Sequence, residues 1–159
     1  MIMDELLEFA DAESVAAAAG TALIGDVIDL GANGEQLGDG EELYLVIQCA
    51  TTIITGGAAG TIKFQLASDA AAAIATNGSA SVHIDTGTFV TDGEDANELH
   101  AGDYIYVGRI PNGHNPAYER YLGVLCTIAT TTVTAGAINA FLTKDAPRNV
   151  IYPANTGDS

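Results

Sequence analysis

Apolar and polar residues alternate with a period of two over much of the chain, which is the pattern of half-buried β-strands. In Leu43–Cys49 every odd position is apolar, and in Thr61–Leu66 the even positions are apolar with polar residues between them. Ser81–Asp85 repeats the alternation, and Ile138–Leu142 does so less strictly. Ala22–Leu30 reads as another strand, interrupted by a glycine. The pattern predicts a chain that is mostly β.

Turn-forming dipeptides separate these segments along the whole chain. Glycine takes the positive φ that tight turns need, and Asn or Asp tolerates the left-handed region beside it. Asn-Gly, Asp-Gly or Gly-Gly pairs mark turns at positions 33–34, 39–40, 56–57, 77–78, 92–93 and 112–113. About eight short strands with turns and irregular connections predict an all-β fold, a single-domain jelly-roll-like β-sandwich.

Two of the predicted strands break the one-face rule. Asp103–Val107 and Tyr121–Cys126 are apolar on both faces, as expected where one face meets the core and something covers the other. The cover is either another subunit or a loop of the same chain.

The N-terminal segment has a different character. Asp4–Ala19 has helix-forming composition but no continuous apolar stripe, so it predicts either a short helix or an extended arm. Asp69–Ala75 also contains alanines that favour a single helical turn. The predicted organisation is an N-terminal arm over residues 1–20, the β-sandwich over 21–152 and a loose tail over 153–159.

Composition bounds the class of protein. A length of 159 residues fits one domain, and 48% hydrophobic residues are enough for a core, although 6% aromatics and no Trp make it a core of small side chains. No apolar run reaches the roughly 18 residues that a membrane helix needs. The first residues are acidic, whereas a signal peptide begins with basic ones, so we expect a soluble, unprocessed protein.

The net charge of -16 argues against nucleic acid and anionic membranes as partners, because both repel an acidic protein. The acids lie mainly in the first two thirds, while four of the five bases lie in the last 51 residues. The molecule therefore presents either separate acidic and weakly basic surfaces or, if both halves interleave, a mixture of the two. Adaptation to high salt is another source of such acidity.

No catalytic motif is present, and we expect neither an enzyme nor a cofactor. The sequence lacks a nucleophile elbow, a phosphate-binding loop and closely spaced histidine pairs. His83, His100 and His114 form a metal site only if folding brings them together, and solvated or locally bonded histidines are the favoured interpretation. Cys49 and Cys126 are expected to be buried, reduced thiols.

An acidic loop is the best ion-binding candidate. Asp92, Glu94 and Asp95 offer carboxylate oxygens of the kind that calcium prefers, but the loop departs from the helix-loop-helix calcium pattern at two positions. A hydrated loop is favoured, and no metal is predicted.

The two ends of the chain carry a family resemblance. Met1–Ala12, Val27–Gly31 and Gly40–Gln48 resemble the start of the small capsid cement, or decoration, proteins of tailed bacteriophages. Glu119–Val124 and the Thr-rich stretch Ala129–Gly136, closing on 138–143, are similar to their C-terminal part. The likeness covers nearly the whole chain and is weakest over residues 69–97.

The resemblance implies a jelly-roll-like structural protein of the virion. Such a protein is made in the host cytoplasm, lies on the outer surface of the capsid, and clamps neighbouring major capsid protein subunits as a homo-oligomer, a dimer or a trimer. It has no enzymatic activity. Contact residues are then expected among large amphipathic side chains, arginines and the N-terminal arm, namely Tyr104, Tyr106, Arg109, Arg120, Tyr121, Leu6, Leu7 and Phe9.

Other interpretations of the same residues stay open at this point. In one alternative, the tyrosines belong to the monomer core and Arg120 pairs with an adjacent or cross-strand carboxylate. This alternative is as consistent with the sequence as interface contact is. The alternative function is a virion-associated carbohydrate-binding jelly roll for host attachment, although sugar sites normally use exposed aromatic rings and this chain has only ten Phe and Tyr residues. An unrecognised hydrolase or isomerase is a third possibility, and it requires polar groups converging in a pocket.

Overall fold

A computed structural model of the chain describes residues 5–32, 37, 42–56, 60–91, 99–113 and 115–146. A short 3-10 helix, Glu5–Leu7, is followed by eight strands. Their bounds are β1 Glu8–Ser14, β2 Gly20–Asp29, β3 Tyr44–Thr55, β4 Thr61–Asp69, β5 Ser81–Val90, β6 Tyr104–Arg109, β7 Tyr121–Ala129 and β8 Val133–Thr143. The predicted all-β class is confirmed.

The strands form two four-stranded antiparallel sheets packed face to face. Sheet A has the order β1-β8-β3-β6, and sheet B has the order β2-β7-β4-β5. In sequence order, β1 pairs with β8, β2 with β7, β3 with β6 and β4 with β5. This nesting is the connectivity of a two-sheet jelly roll, in which a long paired ribbon is wound around the core. Strands β6 and β1 are the edges of sheet A.

The alternation seen in the sequence is the alternation seen in the sandwich. Leu45, Ile47 and Cys49 of β3 point into the space between the sheets, and Phe64 and Leu66 of β4 meet them from the other side. All of these side chains are at most 1% exposed. The core is therefore built from medium-sized aliphatic residues with few rings. The scarcity of rings agrees with the composition, but the expectation of a core of small side chains is corrected, because the strands turn their Leu, Ile and Val residues inward.

The N-terminal segment is part of the sandwich, so the predicted boundary at residue 20 is corrected. Glu8–Ser14 forms edge strand β1, antiparallel to β8, with irregular register. Its neighbour β2 comes so close that a Cβ atom on Gly25 would overlap the backbone carbonyl of Phe9. Gly25 also has a φ of +63°, which glycine adopts without strain. That glycine interrupts the alternation of β2 because two strands of different sheets approach there.

The segment between β4 and β5 is a covering loop, with no helical turn. The carboxylate of Asp69 accepts hydrogen bonds from the backbone N–H groups of Ala71 and Ala75, which holds the loop in a bent path. Ile74, 3% exposed, packs over Gly123 on the outer face of β7. A loop of the same chain thus covers the second face of β7, one of the two alternatives left open for this strand.

The predicted tail, residues 153–159, lies outside the described residues. No helix in the described ranges has the length and apolar character that crossing a membrane requires.

Candidate functional site

Strand β6, at one edge of sheet A, carries an aromatic and an aliphatic side chain that are both partly exposed. Tyr104 is 38% exposed and Val107 is 37% exposed, and Arg109 follows them at the end of the strand. Val107 pairs with Val46, and Arg109 pairs with Tyr44. These two β3 residues alternate with the core-facing Leu45 and Ile47, so Val107 and Arg109 lie on the outer face of sheet A. We call Tyr104, Val107 and Arg109 the β6 surface.

Arg109 is held in place by a carboxylate from a distant part of the chain. Its Nη1 lies 3.3 Å from Oε1 of Glu42, and both side chains are about half exposed. The Tyr44 hydroxyl donates to the other carboxylate oxygen of Glu42 at 2.7 Å. The guanidinium is therefore oriented at the end of the β6 surface, and its charge is locally balanced.

Tyr106 has a different role from Tyr104. Its ring packs against the core, and its phenol end lies over Gly108 of the same strand. Tyr106 is partly buried, so the monomer uses most of this side chain for its own packing. Of the two β6 tyrosines, Tyr104 is the more exposed.

Tyr121 begins β7 of sheet B and Arg120 directly precedes it, whereas β6 is an edge of sheet A. Arg120 donates through Nε and Nη2 to both carboxylate oxygens of Asp29, at 2.9 and 2.8 Å. The guanidinium also lies 4.9 Å from the centre of the Tyr121 ring. These bonds, together with the Gly31 N–H, lower the pKa of Asp29 to about 2.

The two arginine pairs also answer the question of charge distribution. Arg109 and Arg120 belong to the basic last third, but their partners Glu42 and Asp29 belong to the acidic first third. Strands from both ends of the chain interleave in each sheet. These two arginines therefore do not form a separate basic surface.

The three N-terminal contact candidates also differ in how exposed they are. Leu6 is 81% exposed, whereas Leu7 packs against the core. Phe9 is 1% exposed and is one of the largest fully buried side chains, so its placement in an interface is corrected: it is a core residue. The reason is that β1 is a strand of sheet A, which turns Phe9 toward the space between the sheets.

Both cysteines are free and buried. The Cys49 thiol donates to the carbonyl of Leu99 at 3.2 Å. Burial raises the pKa of Cys49 to about 11 and the pKa of Cys126 to about 12. Neither sulfur is present as the thiolate that nucleophilic chemistry or metal binding needs at neutral pH.

Only some of the candidate metal ligands named from the sequence lie among the described residues. His83 is half-buried and His100 is exposed, on different elements, while His114 and the acidic loop with Asp92, Glu94 and Asp95 lie outside the described residues. Within the described ranges no three His, Cys, Asp or Glu side chains are grouped closely enough to hold a metal ion.

A polar cluster that the sequence analysis missed lies at one end of the β4–β5 hairpin. His83 Nε2 is 2.7 Å from the hydroxyl oxygen of Ser68, and the His83 ring stacks on Tyr118 with 4.1 Å between ring centres. Ser68 is fully buried, so its hydroxyl is not a nucleophile for an external substrate. The sequence predicted two consecutive strands here. Their antiparallel pairing brings Ser68 and His83, 15 positions apart, into contact.

Fold and surface together define a jelly-roll β-sandwich whose exposed features are an aromatic sheet edge and paired surface charges. A family model, Bbp16, matches residues 9–142, which run from the second residue of β1 to the penultimate residue of β8. The chain belongs to the Bbp16 family, a phage-related family. No curated protein matches the sequence.

Proposed function

We propose that this protein is a capsid cement protein that binds the outer surface of the assembled major capsid protein shell and stabilises it as a homo-oligomer. The β6 surface is the observation that carries the proposal. Tyrosine and arginine are enriched among the residues that contribute most to protein interfaces, and Tyr104 and Arg109 flank the exposed Val107 on an open sheet edge. Membership of a phage-related family across all eight strands supports a virion role.

The arrangement suits a protein that binds through several modest contacts. A specific contact usually buries about 800 Å² on each partner. One short edge strand supplies part of such an area. Leu6, in the 3-10 helix before the other edge strand β1, supplies a second apolar contact, toward a neighbouring subunit. Once an oligomer is anchored at one point, its remaining contacts form at high effective concentration, so weak individual contacts are sufficient.

The charge of the protein is consistent with the outside of a shell. A net charge of -16 repels the packaged polyphosphate. Three of the basic residues, Lys63, Arg109 and Arg120, are engaged with carboxylates of the same chain. Binding to the capsid is therefore expected to depend on apolar and aromatic contact more than on attraction between opposite charges.

Co-sedimentation with phage shells that lack the protein tests the proposal. The purified protein is mixed with the shells at two salt concentrations, and bound stoichiometry and the heat resistance of the shells are measured. We expect saturable binding at both salts and shells that withstand a higher temperature. A protein that stays in the supernatant at both salts refutes cement function, and glycan binding in its place supports the carbohydrate-binding alternative.

Matched variants test the surface. Tyr104→Ser with Val107→Thr alters the β6 surface, while Val82→Thr with Val90→Thr alters the edge strand of sheet B at similarly exposed positions. We expect the first pair to weaken shell binding about tenfold or more, the effect of losing one central contact residue. The control pair should bind like the unaltered protein, and both should melt close to it. Equal binding by the two double variants would assign the shell contact to another face.

A further inference from the structure

One imidazole joins the β4–β5 hairpin to the segment 115–120, which leads into β7. His83 lies on β5, and its ring stacks on Tyr118 at a tilt of 32°. Its Nε2 atom is within hydrogen-bonding distance of the Ser68 hydroxyl on β4. The contact therefore involves two strands of sheet B and the segment at the same time.

Further hydrogen bonds converge on the same point. The backbone N–H of Glu119 donates to the Ser68 hydroxyl oxygen at 3.0 Å, and the Ser81 hydroxyl donates to the Glu119 carboxylate at 2.8 Å. The Tyr118 hydroxyl donates to the carbonyl of Pro111 at 2.6 Å. Ser68, fully buried, is thus shared between His83 and the backbone of the segment.

We propose that His83 is a pH-dependent latch: the neutral imidazole holds segment 115–120 against sheet B, and protonation releases it. The geometry that carries this is the contrast between the two ring nitrogens. Nε2 faces Ser68, whereas Nδ1 is buried and has no hydrogen-bond partner among the described residues. A neutral ring with its proton on Nε2 places only a lone pair at Nδ1, but an imidazolium places an N–H donor there.

A buried donor without an acceptor is costly, so the charged ring leaves its site more readily than the neutral one. When the ring leaves, Tyr118 loses its stacking partner and Ser68 loses the bond to Nε2. The segment is then held by fewer bonds: the Glu119 N–H to Ser68, the Ser81 hydroxyl to the Glu119 carboxylate, and the Arg120–Asp29 pair at its end. The expected result is higher mobility of the segment, with the sandwich itself intact.

The charged groups around His83 are few and mostly engaged. Burial lowers the pKa of His83, and the Glu119 carboxylate, which Ser81 binds, opposes this to a smaller extent. Asp69, at the end of β4, accepts two backbone N–H bonds of the covering loop. On the hairpin, Asp85 of β5 pairs with Lys63 of β4.

Two neighbours in the segment complete the electrostatic environment. Burial raises the pKa of Tyr118 to about 12, so this phenol stays neutral throughout the relevant range. Arg120 is committed to Asp29. Because the folded pKa of His83 lies below its unfolded value, the latch is fully closed above about pH 6.5 and weakens as the pH falls below it.

Amide hydrogen exchange of the full-length protein between pH 8 and pH 5 tests the latch. After correction for the intrinsic exchange rate, protection of 117–120 should fall on acidification, by at most about tenfold per pH unit for one coupled proton. His83→Gln should remove this dependence, because glutamine does not titrate. His100→Gln, at an exposed histidine, should behave like the unaltered protein. Protection that is constant with pH, or that still falls in His83→Gln, overturns the proposal.

A second measurement needs no variant of His83. Titration of the ring signals of the unaltered protein by NMR gives the pKa of each histidine directly. A His83 pKa below about 6.5, accompanied by shifts in the amides of 117–120 with the same midpoint, is the expected result. A His83 pKa at or above about 6.5 refutes the latch. Both measurements use the isolated protein, so their outcome is independent of shell binding.

Discussion

Replacing Ile74 by alanine tests why strand β7 is apolar on both faces. Ile74 is 3% exposed and belongs to a small cluster on the outer face of sheet B with Leu125 and Ala67, against which Leu23 and Val27 pack. If the covering loop seals this face, the substitution removes core-like packing even though it lies in a loop. If the loop only rests on the sheet, the substitution is nearly neutral.

The expected loss of stability follows from the atoms removed. Isoleucine to alanine deletes three carbon atoms, at about 0.8 kcal/mol each, and buried substitutions of this type cost about 2–5 kcal/mol once the cavity is included. The loop side of the cluster is able to collapse into part of the space. We therefore expect a loss near the lower end, about 2–3 kcal/mol, which lowers the Tm by roughly 4–12 °C in a chain of this length.

Urea and thermal unfolding measure the effect, with Ile54→Ala as the matched control. Ile54 is the same residue type on β3 but is 39% exposed, so its truncation should cost less than about 1 kcal/mol. Gly123 provides an independent check: a Cβ atom there would lie 2.7 Å from Cδ1 of Ile74. Gly123→Ala should therefore cost less in the Ile74→Ala background than alone. Equal losses for Ile74→Ala and Ile54→Ala, without coupling to Gly123, would refute the assignment of the loop as a seal.

Two further predictions concern backbone approach and thiol reactivity. Gly25→Ala should lose more stability than Gly78→Ala in urea unfolding, because both glycines have positive φ but, of the two, only Gly25 faces backbone atoms. Positive φ alone costs a residue with a Cβ atom about 1–2 kcal/mol. Equal losses for the two variants would show that this backbone strain alone matters. Cys49 and Cys126 should resist iodoacetamide at pH 8 in the folded protein and react in urea, because burial raises both pKa values; rapid labelling of either thiol without denaturant would contradict their burial.

The sandwich strands were predictable where the alternation was strong. In β3 and β4 the sequence periodicity identifies the face that meets the core, although Val46 of β3 and Ala67 of β4 are also buried on the other face. Strand β1 lacked this signal: four of its seven residues are exposed, and its strand conformation comes from pairing with β8, more than a hundred residues later. Local composition favours a helix there, and the long-range ladder prevails over it.

The covering loop is a second segment whose local composition favours a helix that does not form. Its alanines favour helix, but the Asp69 carboxylate takes the N–H groups of Ala71 and Ala75 and holds a bent path. The arginine–carboxylate pairs were equally unpredictable from the sequence. Asp29 and Arg120 are 91 positions apart, so only the interleaving of the two chain ends brings them together. Such contacts depend on topology, which periodicity does not encode.

The two strands that looked alike in the sequence differ in the structure, and this difference underlies the proposed interface. Both β6 and β7 have apolar residues on their two faces. β7 is central in sheet B and is sealed by the covering loop, whereas β6 is the edge of sheet A and leaves Tyr104 and Val107 more than a third exposed. This edge strand carries an aromatic ring and a single charged residue, and charged side chains are one of the features that usually keep sheet edges apart. Under the proposed function, a capsid subunit covers this edge, which gives a reason for retaining it on an otherwise acidic protein.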